Sequence, residues 1–428
     1  MTSEKTPPTS DPRPQFELLR QMFAEAMDAM QPAARFLEQT SFTKSMLRLP
    51  DGHEINLNSY RNVWVFGAGK GAFSLAEGMI QLLGKRLAGG AVIGPVSALP
   101  QPDATHTATG VYMLPGDHPV PGEHSLRSTE KLIEIAREVR ADDLVLFALT
   151  GGASAMLAKP APGVTMEHKR QRFRELLASG ASIAEMNRTR KQLSAVKGGR
   201  LLEAFNGADV VNFVISDVPG NDLQTIGSAP TQPPHNAASA ARLQVYNVML
   251  ATPEQNAAAI ARKARAKGIR SHAMNAAFSG AMDNLVSMIV GDLESELRNR
   301  GQNGDTPPTL RIYFGEADLK VGPAAGKGGR NTHLALMLAD PLHRLAQTRP
   351  GTHITLLSAG TDGIDGNTPA AGAICTEQTA LLARKMNLDT AEYLTKFDSY
   401  TYFSQIDAIF QPGPTGTNLT DLQLILIH

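Results

Sequence analysis

Val63-Trp64-Val65-Phe66-Gly67-Ala68-Gly69-Lys70-Gly71-Ala72 runs from β-branched and aromatic residues into a glycine-rich turn, and residues 73–83 continue at helical spacing. A buried strand that ends in such a turn and enters a helix is half of a βαβ unit, with its glycines at the carboxyl end of the strand. The construction recurs along the chain. Residues 143–149 lead into Thr150-Gly151-Gly152-Ala153-Ser154 and a short helix, residues 210–215 into a loop holding Asp217, and residues 354–357 into a loop holding Asp362 and Asp365. A fifth run, 310–314, leads into Gly315-Glu316 and on to Gly326-Lys327-Gly328-Gly329-Arg330-Asn331, where a helix starts. The expectation is an α/β architecture with mostly parallel strands, whose carboxyl-end loops either converge on one crevice or serve as ordinary turns.

Working outward, an apolar stripe of Leu19, Met22, Phe23, Ala26, Met27 and Met30 predicts an amphipathic first helix. Residues 1–15 read as a disordered tail. Pro230, Pro233 and Pro234 mark a boundary before Thr252-Pro253-Glu254, which reads as a helix start with proline at its first position. The chain is therefore expected to divide into an N-terminal domain over 16–245 and a C-terminal domain over 246–428, with Asn299–Pro308 as a surface loop of the second. A length of 428 residues suits two domains, each with its own core.

Charge and cysteine content exclude several classes. Forty-one Lys and Arg balance 41 Asp and Glu, so no global field attracts a polyanion or an acidic membrane; neither nucleic acid nor membrane is an expected partner. The single cysteine, Cys375, permits no intrachain disulfide and no cysteine-rich zinc site. No apolar run is long enough to span a bilayer and no secretory leader is visible, so a cytoplasmic location is expected.

Residues 67–72 fit G-x-G-x-x-A, a turn that lets backbone approach a phosphate at a helix N-terminus. A dinucleotide site also wants an acid at the end of the next strand, and Ala91-Val92-Ile93-Gly94-Pro95 has none. Lys70 inside the turn is repelled by the helix dipole unless an anion sits between them, which points to phosphate; the alternative is a structural lysine. No lysine here is followed by Ser or Thr in a Walker pattern. Residues 188–200 carry Arg188, Arg190, Lys191, Lys197 and Arg200 and no acid, forming either a solvated helix face or the wall of an anion site. Asp217, Asp362 and Asp365 stand at strand ends, where carboxylates ligate Mg²⁺ or accept a hydroxyl proton, or else cap turns through the backbone. His118 reads as structural and Cys375 as a small buried hydrophobe.

Taken in order, GAGKGA (67–72), GDHPVPGEHSL (116–126), TGGASAM (150–156), RKQLSAVKGGRL (190–201), ISDVPGNDLQTIGSAPT (215–231), GKGGRN (326–331), SAGTDGIDGNTPAAGA (358–373) and GPTGTNLTDLQLIL (413–426) resemble the glycerate 2-kinase family, also called the MOFRL family. The resemblance runs from about Phe16 to the C-terminus. It departs from the usual family pattern at Ala153, at Ala317-Asp318, at Thr332-His333 and at Gly227-Ser228-Ala229-Pro230. It implies an N-terminal Rossmann-like α/β/α sandwich, a smaller C-terminal MOFRL α/β domain and an active site in the cleft between them. It also implies ATP- and Mg²⁺-dependent phosphorylation of D-glycerate at its 2-hydroxyl. On this resemblance Lys70, Asp217, Arg330 and Asp362 are the catalytic candidates, with Asp217 and Asp362 also the metal candidates. Gly69, Gly151, Gly152, Ser154, Lys197, Gly328, Gly329 and Asn331 are the candidates for holding the nucleotide. The alternatives are a kinase of a related sugar acid and an NAD(P)H-dependent hydroxypyruvate reductase.

Overall fold

The computed structural model describes residues 13–99, 105–106, 108–179, 183–233, 244–300, 307–322 and 325–428. They form two compact units. One comprises Ala29–Pro253 with Gly416–Leu419, and the other the described part of Met1–Asp28 with Glu254–Thr415 and Thr420–His428.

The first unit is built on six parallel strands: β1 (Val63–Ala68), β2 (Leu87–Pro95), β3 (Val111–Gly116), β4 (Leu144–Leu149), β5 (Asp209–Ile215) and β6 (Val245–Ala251). Their order across the sheet is β6-β5-β4-β1-β2-β3, with the two-residue strand Thr105–His106 antiparallel at the β3 edge. β1 and β4 are buried along their whole length and pair in register, Val63 opposite Leu144 and Ala68 opposite Leu149. Near-continuous apolar sequence is what a strand covered on both faces requires. Trp64, Phe66, Phe147 and Phe205 fill one face, with the Phe66 and Phe205 rings 5.1 Å apart. From β1 the chain winds outward through β2 and β3, and from β4 it winds the other way through β5 and β6. The gap between β1 and β4 is therefore the topological switch point, and ligands of open α/β sheets bind beyond the strand ends at such a point.

The second unit holds a mixed sheet, not a parallel one. Its strands are β7 (Arg270–Ala273), β8 (Thr309–Asp318), β9 (Ile354–Gly360), β10 (Gly372–Thr376), β11 (Ile409–Phe410) and β12 (Asp421–Ile427), in the order β7-β8-β12-β9-β10-β11. Only the β7–β8 pair is parallel in this path; Phe278–Ala281 also lies parallel against β8. Alternation sorts the faces: Leu310, Ile312, Phe314, Leu422 and Leu424 point one way, Tyr313, Ile425 and Ile427 the other.

Several expectations are corrected here. Of the five glycine-ended strands, three belong to the first sheet and two to the second. Residues 13–15, expected in the tail, begin the helix Arg13–Ala29, while 1–12 lie outside the described residues. That helix belongs with the second unit, because Leu19, Met22, Phe23, Ala26 and Met27 pack on the β8, β9 and β12 side chains. The boundary falls at Pro253/Glu254 instead of 245/246, since Val245–Ala251 pairs with β5 as an edge strand of the first sheet. The helix starting at Pro253 is as read. Most of the expected loop at Asn299–Pro308 lies outside the described residues.

Candidate functional site

β1 ends at Ala68 and the chain turns at Gly69 with φ near +132°, a conformation L side chains rarely adopt. A Cβ there would also collide with the Thr150 hydroxyl and carbonyl, so glycine is required twice over. Lys70 N–H donates to the Gly151 carbonyl at 2.7 Å and Gly71 N–H to Thr150 Oγ1 at 3.0 Å, tying the turn after β1 to the loop after β4. The helix Ala72–Leu83 starts at Gly71 without a side-chain cap, and Ala72 N–H turns back to the Gly69 carbonyl at 3.2 Å.

The β4 loop gathers the first unit's functional side chains. A Cβ on Gly151 would strike the Asp217 carboxylate and lie 2.8 Å from Asn418 Nδ2, and one on Gly152 would lie 3.1 Å from both Lys70 Cγ and His118 Cδ2. Asn418 donates to Asp217 Oδ2 at 3.2 Å. Lys70 and Asp217, expected from sequence, thus flank the two glycines. His118 and Asn418 join them. The only sequence signal for His118 and Asn418 was that each lies inside a recurring family segment, which does not single out one residue.

Beyond the glycines, Ser154 opens a polar chain. Its hydroxyl meets Ser228 Oγ at 2.9 Å, Ser228 donates to Asn187 Oδ1 at 3.0 Å, and the Lys197 ammonium donates to the Ser154 carbonyl and approaches its hydroxyl at 3.3 Å. Lys197 is 1% exposed, and burial together with the charges of Lys169 and Arg190 holds its pKa well below the ordinary lysine value. Of the cationic run 188–200, Arg190 and Lys197 therefore belong to an interior cluster instead of a solvated face. Lys169, which the sequence reading passed over, is 4% exposed, and burial lowers its pKa to about 8. It sits within a helix, Met166–Ser179, that otherwise reads as an exposed polar one.

In the second unit, Arg330 begins the helix Arg330–Gln347 and is held by two acids: Nε donates to Asp421 Oδ2 at 2.8 Å and Nη1 to Glu316 Oε2 at 3.2 Å. These charges raise its pKa further against the opposing effect of burial, and 39% of the side chain remains exposed. Asp362 Oδ1 accepts from Ile364 N–H at 3.0 Å, closing its own turn. Asp365 is a cap, accepting from the backbone N–H groups of Asn331 and Thr332, each at 2.9 Å, and from Thr332 Oγ1 at 2.7 Å. The Asn331 side chain is buried and accepts from Ser358 Oγ at 2.8 Å, so it holds the helix start inside the fold and does not face a ligand. Gly328 and Gly329 admit Ser399 and Asp365 where a Cβ would stand. A cavity of about 250 Å³ opens beside them, lined by Leu319, Val321, His333 and Phe397, the last two rings stacked 5.1 Å apart.

Cys375 is buried and its thiol is pushed up to about 12, as its apolar setting suggested. Among the described residues no three metal-ligating side chains come together. Magnesium carried on a nucleotide is held mainly by phosphate and water with one or two carboxylates, and Asp217, beside the phosphate-type turn, fits that lighter demand. Among the described residues no helix is long and apolar enough to cross a membrane.

Residues 18–261 match the Domain of unknown function DUF4147 and residues 309–421 the MOFRL family. A protein of Agrobacterium vitis named "Putative hydroxypyruvate reductase" is 36% identical over 74% of this chain and 77% of its own. The D-glycerate 2-kinase of Thermotoga maritima is 33% identical over 85% of this chain and 90% of its own. The crystal structure of a glycerate kinase from the same organism superposes with a TM-score of 0.78 at 28% identity, covering 97% of this chain and all of the other.

Proposed function

The chain belongs to the glycerate 2-kinase family and is a kinase, and from that premise we propose that it transfers the γ-phosphoryl group of ATP to the 2-hydroxyl of D-glycerate, giving ADP and 2-phosphoglycerate. The observation that carries the reading is the tie between the β1 turn and the β4 loop, which sets Lys70 and Asp217 against neighbouring glycines at one switch point.

In the transfer the 2-hydroxyl oxygen bonds to the γ-phosphorus, the bond to the ADP oxygen breaks, and the hydroxyl proton passes to a base. The protein's part is to position the groups and to neutralise charge on the phosphoryl oxygens. We assign neutralisation to Lys70 and to Arg330, whose side chain stays partly exposed while two acids hold its guanidinium. One of Asp217 and Asp362 receives the proton and the other faces the cation. Magnesium bound to the nucleotide would supply further neutralisation of the phosphates. The apolar cavity beside Gly328 and Gly329, with its His333–Phe397 stack, is of a size and character for a purine ring.

A nicotinamide-dependent reductase is the competing reading suggested by the name of one relative. β2 argues against it, because its last residues, Val92 to Pro95, bring no carboxylate to hold a ribose. A kinase of a longer sugar acid shares the same chemistry and is separated only by substrate comparison. The direct experiment incubates purified protein with ATP, magnesium and D-glycerate and resolves 2- from 3-phosphoglycerate. Formation of the 2-phosphate supports the proposal. Reduction of hydroxypyruvate by NADH without any phosphorylation overturns it.

A further inference from the structure

Lys169 and Lys197 bring two nearly inaccessible ammonium groups together, with Arg190 adding a third charge to the field around Lys197. Their positions are fixed from different elements. Lys169 Nζ lies 3.4 Å from the Lys159 carbonyl, which also accepts from Ala195 N–H at 2.9 Å and Ser194 Oγ at 3.3 Å, just ahead of Lys197. Lys197 in turn holds Ser154. Several charged groups on the segments that carry the cluster are engaged elsewhere. Lys159 pairs with Glu130, Glu167 with Arg170 and Arg174, and Glu175 with Arg172. Lys191 reaches Gln224 with Asp222 nearby, and Arg200 donates to the carbonyls of Lys191, Ser194 and Lys197. Among the described residues no carboxylate forms an ion pair with Lys169 or Lys197. Like charges gathered away from water are costly unless an anion completes them.

We propose that the Lys169–Arg190–Lys197 cluster receives the carboxylate of the hydroxy-acid substrate, with Lys169 a specificity-determining residue of the site. Position selects this anion. Ser154, gripped by Lys197, is three residues beyond Gly151, a span of at most about 11 Å, and Gly151 abuts Asp217. In a 2-hydroxy acid the carboxylate is bonded to the very carbon that carries the reacting oxygen. An acid anchored by its carboxylate at Lys197 therefore keeps that oxygen on the side of Asp217 and Lys70. The inference rests on phosphoryl transfer to glycerate as the function of the same site.

The test compares wild type with Lys169→Met and Lys169→Arg in steady-state kinetics, alongside calorimetry of D-glycerate binding without ATP at pH 8.5 in buffers of different ionisation enthalpy. Loss of a charged hydrogen bond to substrate predicts a KM for D-glycerate raised by about tenfold or more in Lys169→Met, partial recovery in Lys169→Arg, and an unchanged KM for ATP. Wild type takes up protons as the carboxylate draws the amines into their charged form, and Lys169→Met takes up fewer. A raised KM for ATP alone would hand the cluster to the nucleotide. Unchanged KM values with unchanged proton uptake would reduce it to a structural feature, and either result overturns the proposal. Wild type that phosphorylates no hydroxy acid would instead refute the kinase reading, while the calorimetric arm, which needs no turnover, still decides this one.

Discussion

Asp217 and Lys70 stand on either side of Gly151 and Gly152, and each owes its place to backbone that only glycine can supply. Lys70→Ala is expected to lower kcat/KM by at least about 10²-fold, the usual loss for one preorganised electrostatic donor. Asp217→Asn keeps the size and the Asn418 neighbour but removes the charge, so the loss should fall mainly on kcat, with a raised magnesium requirement if Asp217 faces the cation. Wild-type turnover in both variants would return these residues to turn structure. Lys169 gives a pH signature independent of activity. Below pH 8 it is charged in the folded and unfolded protein alike, so the fold carries the desolvation cost. Between about 8 and the unfolded value of 10.5 the folded protein sheds the proton while the unfolded chain keeps it. Stability therefore rises with pH through that window, by up to about 3 kcal/mol from this group. Denaturant titrations should show Lys169→Met more stable than wild type at pH 7, with the difference shrinking toward pH 10. A constant difference across that range would mean Lys169 is not desolvated.

At the scale of elements, the helix Arg330–Gln347 depends on a residue remote in sequence. Asp365 is 2% exposed and accepts four hydrogen bonds at the helix start. Asp365→Ala should cost about 2 kcal/mol or more in a reversible unfolding measurement, being a lost cap that leaves buried donors unsatisfied. Asp362→Ala, at a half-buried position where the carboxylate accepts from Ile364 N–H within its own turn, should cost less stability. The sequence could not separate these two aspartates, because both stand beside glycine and the difference is which of them a distant helix covers. The strand–glycine–helix units over 63–83 and 143–156 were legible, since period and turn chemistry are local. The antiparallel insertion of β12 between β8 and β9 was not, nor was the docking of Arg13–Ala29 on the second sheet. Both join segments far apart in sequence, and an amphipathic stripe announces that it must be buried without naming the partner. Lys169 was missed for the same reason: in a helix rich in Arg, Lys and Glu, nothing local distinguishes the one lysine that points inward.

For the whole molecule, Lys70 and Asp217 belong to one compact unit and Arg330 and Asp362 to the other. If all four serve one reaction, Lys70→Ala and Arg330→Ala should be strongly non-additive, the double variant being far less damaged than the product of the single losses. Arg330→Lys should remain impaired, because an ammonium cannot reproduce the planar fork that Asp421 and Glu316 orient. Full additivity, in variants with an unchanged thermal transition, would separate the units functionally. The central claim is more directly exposed by the product itself. Phosphorus NMR of a reaction containing the purified protein, ATP, magnesium and D-glycerate should show ATP loss matched by 2-phosphoglycerate, with no oxidation of NADH when hydroxypyruvate is supplied instead. A 3-phosphoglycerate signal, or NADH oxidation with no phosphate ester formed, would contradict the account.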